Sequence, residues 1–487
     1  MARFWPCVME LHQKRASQLS IDVLGLTAIH QRINIPDELP PKDLGDKLLA
    51  SYLQTAGTIY RIVDWQDFKR KYDSLWQRAD SDECEFIVFL FLVFVVGSAS
   101  INEKEGRLSR SKALRWMSLA RMWRNPIVGV ERCTMPLLQV DFLLLIGRKF
   151  WGLGSPSDHI ASANLVRTAI TMGLHGGSSQ DSNLTADEDN LRRHLWYAVL
   201  ELDAQCSLES GVEPTYTGMW TALPPRPDAH HSDLQHWVEQ VTGKPWCLER
   251  ETCPQIALRQ SLPIRLQIVQ QLNQPQFDLR YETACELTEK LKAVAGWTPV
   301  SGSNSTEITS QFLSDYTTLV LNTVLLSLHW TFAIQLQPKY SYSRNLCVIA
   351  ALKILKQLCP SRTETRLQIL VQRESFIFEN NAFPAALFLC ADVCRGASQF
   401  DPGDLLEIPS LKNDVIGALR VFIAVAEQRV ALIDYSEVAY VLPAVALVYI
   451  RHEEWRSMTN DEHVQYATAQ IVRKCLDLVQ VRVSVSL

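Results

Sequence analysis

Several motifs that carry chemistry are missing from this 487-residue sequence. It has no Gly-x-Ser-x-Gly, no Gly-x-x-x-x-Gly-Lys and no His-Glu-x-x-His, which excludes a nucleophile elbow, a phosphate-cradling loop and a zinc-protease helix. Cys-x-x-Cys is absent as well. The 12 cysteines are scattered, and the nearest pairs, Cys390/Cys394 and Cys247/Cys253, have no further Cys or His at zinc-ligand spacing. No metal site and no cofactor is therefore expected, and scattered thiols read as a reducing, intracellular compartment. Positive charge is not in excess either. A formal net charge of −5 is the wrong sign for a domain-wide footprint on nucleic-acid phosphates. Apolar runs are short: Phe86 to Val96 is 11 residues, against the roughly 20 that span a bilayer. The stretch Leu319 to Leu336 is broken by Asn322, Thr323, Ser327, His329, Thr331 and Gln335, so no membrane span is expected. The opening MARFWPCVMELHQKRAS lacks the apolar core of a secretory signal. Glycine and proline, at 20 and 22 residues, are too few for a fibrous or disordered chain.

What is present is helical periodicity. Apolar residues at 47% and charged residues at 21% supply an ordinary globular core and surface. Segments of helical spacing follow one another from about residue 44 to 482, and none shows sustained alternation between turn signals. The expected fold is all-α: a large, irregular, solenoid-like multi-helix body in one or two lobes. Residues 1–40, ending in Pro36 and Pro40, are expected to form a loosely docked leader, 41–298 a helical core and 299–487 a C-terminal lobe. The Ser- and Gly-rich loop Thr298 to Asn304 would be a mobile insertion or the lobe hinge.

The clearest stretch runs from Ser155 to Pro224. Ser155 is the expected N-cap of a first helix, with Pro156 at its first position and Asp158 three residues after the cap. Ile160, Ala163, Val166, Ala169 and Ile170 would form its apolar stripe, closed by Gly173 and Leu174 as a left-handed cap. Thr185 with Glu188 then makes a capping box that opens a long helix. Leu191, Leu195, Ala198, Val199, Leu202 and Cys206 form its stripe, and Trp196, Tyr197 and Leu200 widen it, so it is expected to be buried on more than one side.

These residues resemble the middle homology region of fungal transcription factors of the binuclear zinc-cluster class. The likeness lies in NLVRTAITMGLHGG (Asn164 to Gly177), LRRHLWYAVLELDAQCSLESG (Leu191 to Gly211) and ALPPRP (Ala222 to Pro227). Gly173, Leu174, His175, Arg192, Arg193, Trp196, Asp203, Gly211 and Pro224 fall on the family pattern. The likeness extends over roughly residues 39 to 240. Two family arginines are replaced: Asp-Arg is Asp203-Ala204 here, and Gly-Arg-Pro is Gly211-Val212-Glu213-Pro214. The resemblance implies a nuclear regulator of a metabolic or biosynthetic gene set. Without the family's zinc-cluster cysteines in these residues, it would reach DNA through a protein partner, a DNA-binding regulator or a second copy, under the influence of a small-molecule ligand. No direct sequence-specific DNA binding is expected.

Among residues that could carry chemistry, Arg192, Arg193 and Asp203 read first as charges that fix packing, since buried charges must be paired. His175 follows a helix C-terminus and suits a capping role. Cys390 and Cys394 read as small apolar side chains. Asp315, Asn322 and His329 recur every seven residues on the longest apolar helix. They form either a polar seam against another helix or the polar lining of a small-molecule pocket. The pocket reading supports an alternative function, a cytoplasmic metal-independent enzyme of natural-product biosynthesis that cyclises or isomerises its substrate by holding one conformer.

Overall fold

The computed structural model describes residues 38–76, 84–127, 129–155, 157–176, 184–218, 225, 231–243, 253–274, 279–294, 308–335, 337–358, 365–373, 377–396, 409–432, 437–454 and 461–486. Among them the regular structure is helical throughout, with no strand. Two bodies are separable. One comprises Glu38–Phe332 with Glu364–Leu370; the other takes in Ala333–Thr363 and Val371–Leu487.

The first body contains α1 (Lys42–Gln54), α2 (Ala56–Tyr60), α3 (Trp65–Leu75), α4 (Cys84–Ser98), α5 (Arg110–Arg124) and α6 (Met135–Phe150). It continues through α7 (Asp158–Thr171), α8 (Ala186–Ser210), α9 (His231–Thr242), α10 (Cys253–Asn273), α11 (Tyr281–Val294) and α12 (Ile308–Ala333). Helix α4 reads CEFIVFLFLVFVVGS and is apolar all round, so it has to be covered on every side. It packs against α1, α5 and α6. Gly97 permits the closest of these approaches: a Cβ there would lie 2.1 Å from the Leu48 carbonyl oxygen. Ser51 Oγ donates to the Gly97 carbonyl at 2.8 Å. Nearby, Trp116 stacks on Phe91 with centroids 4.6 Å apart, and Trp151 Nε1 donates to the Val95 carbonyl at 2.8 Å. Arg366, on the segment that returns to this body, donates to Ser51 Oγ at 3.0 Å and to Gln54 Oε1 at 2.6 Å.

The run of helical spacing that opens near residue 44 is divided at Thr55. Its hydroxyl donates to the Ser51 carbonyl at 2.7 Å and that of Thr58 to the Leu53 carbonyl at 2.6 Å. Side-chain hydroxyls that take backbone carbonyls in this way compete with the helical ladder. The break yields the short α2, which ends on Arg61 in the left-handed region at φ 46°.

The second body holds α13 (Ser341–Leu358), the end of α14 (Arg366–Arg373), α15 (Phe383–Gly396), α16 (Pro409–Leu432), α17 (Glu437–Glu454) and α18 (Asp461–Ser486). Arg344 Nε and Asp392 Oδ1 form a buried ion pair at 2.6 Å between α13 and α15. Cys390 on α15 is buried, and loss of solvent pushes its thiol up to about 12; the Cys394 thiol is also raised by burial. A neutral thiol packs as a small apolar group.

Candidate functional site

The family-motif residues gather around α8. Thr185 and Glu188 cap it reciprocally: the Thr185 N–H donates to Glu188 Oε2 at 2.9 Å, and the Glu188 N–H donates to Thr185 Oγ1 at 3.2 Å. Gly211, at φ 67°, closes its other end. Gly173 ends α7 at φ 73°, and Arg192 Nη2 donates to the Met172 carbonyl just before it at 2.8 Å. Arg193 pairs with Asp189 one turn earlier at 2.7 Å. Leu174 and Trp196 are buried. Trp196 meets Tyr216 edge-on at 5.1 Å, and the His175 ring lies 6.2 Å from it. Pro224 lies outside the described residues.

Asp203 is a hub for hydroxyl and backbone donors, with His159 as a nearby charge partner. Its Oδ1 accepts from Ser162 Oγ at 2.9 Å and from Thr215 Oγ1 at 3.1 Å, while Oδ2 accepts from the Thr215 N–H at 2.7 Å. Burial raises its pKa above the usual carboxylate value, against the lowering effect of those three donors. The α7 start differs from expectation: the helix begins at Asp158, and Ser155 Oγ accepts from the Ser157 N–H at 3.1 Å. Ile160, expected in the stripe, is exposed.

A second polar network crosses the body two residues earlier on α8. Arg265 on α10 donates to Glu201 through Nη1 at 2.9 Å and Nη2 at 2.5 Å, and to the Leu258 carbonyl at 2.8 Å. Gln205 Nε2 donates to Glu201 Oε1 and to the Tyr316 hydroxyl, both at 2.7 Å. Tyr316 in turn meets the Tyr60 hydroxyl at 3.1 Å. Helices α2, α8, α10 and α12 are thus joined by one chain of hydrogen bonds. Burial raises the pKa of both phenols, that of Tyr316 to about 12, so both stay protonated.

Tyr60 and Glu201 of this network also line a cleft with a cavity volume of about 50 Å³. Its walls are Ile59 to Arg61 at the end of α2, His194, Tyr197 and Glu201 on α8, and Leu258, Arg259 and Leu262 on α10. Pro263 stands inside α10 and has no N–H to offer the Arg259 carbonyl, so the helical ladder lacks a rung beside the cleft.

Asp315, Asn322 and His329 are all buried on α12 but meet different partners. Asp315 Oδ1 accepts from Gln311 at 2.7 Å, and Asn322 donates to the Thr318 carbonyl at 2.7 Å. His329 Nε2 meets Thr288 Oγ1 on α11 at 2.7 Å. None of the three lines the cleft described above. Of the residues that do, Glu201 was not legible: its partner Arg265, 64 residues away in sequence, meets it only once α8 and α10 are packed. Among the described residues no group of His, Cys, Asp and Glu could hold a metal ion, and no helix is long and apolar enough to cross a membrane.

Comparison with known proteins identifies this region. Residues 49–224 match the family described as "Fungal specific transcription factor domain". Transcription factor opdR of Penicillium oxalicum is 29% identical over 66% of this chain and 42% of its own length. Transcription factor lepE of Aspergillus flavus is 25% identical over 65% of this chain and 39% of its own. Transcription factor asR3 of Sarocladium schorii is 21% identical over 91% of this chain and 57% of its own. The chain thus spans about two-fifths to three-fifths of the length of these relatives. No solved structure gives a significant match. The matched residues run from within α1 to beyond α8 and take in its caps and the Asp203 hub, and over them the chain is similar to the fungal specific transcription factor domain.

Proposed function

We propose that this chain is the regulatory body of a nuclear transcription regulator that controls a fungal biosynthetic gene set. The observation that carries this reading is the domain match over residues 49–224, together with relatives that are themselves transcription factors. Another relative is named as the regulator of the aspyridones cluster. The geometry supports the reading: charged side chains of α8 join it to other helices, Arg192 to the end of α7 and Glu201 to Arg265 on α10. Contact with DNA comes from outside these residues, which carry no Cys-x-x-Cys. On this reading a DNA-binding regulator or a second copy docks on the helical surface, and a small molecule modulates it.

Deletion of the gene tests the proposal. Transcripts of a co-regulated biosynthetic set are expected to fall, and re-expression restores them. Unchanged transcripts, with a single pathway intermediate accumulating, would replace the regulator with the enzyme reading.

A further inference from the structure

We propose that α13 carries the face on which a second copy of this chain docks, the two helices running antiparallel. The role of such a dimer rests on the regulatory reading above; its geometry rests on α13 alone. Helix α13 packs on α15 and α16 and buries Cys347, Val348, Ala351, Ile354, Leu355 and Leu358. A surface helix of this kind turns polar residues to solvent on its other side. Here that side is apolar at its centre. Tyr342, Leu346, Ile349 and Lys353 follow one another four, three and four residues apart and so share one stripe. Tyr342 is 40% and Ile349 41% exposed, Leu346 is half-buried and Lys353 is exposed. An outward apolar stripe with a cationic end marks an interaction surface.

The order of residues along the stripe selects the occupant. Across a twofold axis, residue i of one copy faces residue j of the other and j faces i. With that axis level with the Cys347–Val348 peptide, Leu346 lies opposite Ile349 of the partner subunit, and Tyr342 opposite Lys353 of the partner subunit. One axis thus satisfies both pairs, setting apolar groups at the centre and a lysine over a tyrosine ring at each end. A parallel pairing would set lysine against lysine, and α13 has no Asp or Glu to relieve it. Lys356, next along the stripe, is matched within its own chain by Asp414 at 2.6 Å. A helix of 18 residues is about 27 Å long and buries less than a standard interface, so the pair is expected to dissociate on dilution.

The test is sedimentation velocity of the purified full chain over a dilution series reaching about 100 µM. Wild type is expected to pass from monomer to dimer within the series. Ile349→Asp and Tyr342→Lys are each expected to weaken the dimer about a hundredfold, because a twofold interface suffers every substitution twice. Tyr342→Lys combined with Lys353→Glu seats opposite charges at both ends and is expected to return to within about threefold of wild type. Tyr466→Lys, at a side chain 66% exposed on α18, is expected to change nothing. Melting temperatures are recorded for all variants, and recovery in the double variant keeps the test decisive where a single substitution lowers them. A wild type that stays monomeric, a dimer unmoved by Ile349→Asp, an equal loss in Tyr466→Lys, or a double variant no better than Tyr342→Lys would each overturn the proposal. A monomer whose deletion still lowers transcripts removes the interface and keeps the regulator; a dimer with unchanged transcripts does the reverse.

Discussion

Helices α4 and α8 are both central struts, and they are held by opposite means. Helix α4 has no charged residue after Glu85 and is held by shape, with Gly97 letting α1 approach to backbone contact. Helix α8 buries Asp189, Arg193, Glu201 and Asp203 and is held by directed bonds. Apolar contact is non-directional and tolerates small rearrangements, whereas a desolvated charge fixes its partner's position and is costly when left alone. The cleft adjoins the second kind of helix.

Breaking the charged strut is expected to give the largest effect. Arg265→Met leaves the Glu201 carboxylate buried with its main partner gone, and is expected to cost about 3–5 kcal/mol in urea unfolding. Adding Glu201→Met is expected to recover most of that loss, because an apolar pair can replace a buried ion pair. No recovery in the double variant would show that geometry, and not desolvation, dominates at α8.

His329 extends the comparison to a buried group that stays neutral. Burial lowers its pKa from 6.5 to about 4, with Lys292 adding to the shift. Between those values the unfolded chain binds a proton that the folded chain refuses, so stability falls as pH drops from 6.5 to about 4. The full loss is about 3 kcal/mol by linkage. His329→Phe is expected to flatten that slope, read from unfolding free energies across the window. A slope unchanged by the substitution would assign it to other groups.

In the apolar strut, Gly97→Ala brings a Cβ against the Leu48 carbonyl and is expected to cost about 1–3 kcal/mol as α1 and α4 move apart. A melting temperature equal to wild type would show that this crossing yields easily. Smallest is Arg192→Met, which removes the bond to the Met172 carbonyl at the end of α7. About 1 kcal/mol is expected, checked by thermal unfolding.

The same contrast explains what could be read from the sequence. The capping box at Thr185 and Glu188 and the left-handed glycines Gly173 and Gly211 were legible because each is a local device whose parts lie within a few residues. The break at Thr55 was not, because a threonine hydroxyl reaching back to a carbonyl leaves the apolar spacing intact. The outward turn of Ile160 shows the limit of a periodic stripe: spacing gives a face, not its cover. The cleft was illegible for a stronger reason. Buried Glu201 and Arg265 have the composition of a solvated helix face, and only the packing of distant segments reveals that they are dry.

Arg366 has one further consequence, in how this chain can be divided. The polypeptide leaves the first body after Phe332, returns for Glu364–Leu370, and leaves again. Arg366 is partly buried, and burial pulls its guanidinium pKa down, with the neutral groups Ser51 and Gln54 as its hydrogen-bond acceptors. A fragment cut at residue 332 would expose that part of the α1 surface and strand Gln54, while a fragment starting at 333 would carry an arginine whose seat is elsewhere. The first body is a discontinuous domain, and its expression in isolation calls for the 364–370 strap to be joined back by a linker or supplied as a peptide.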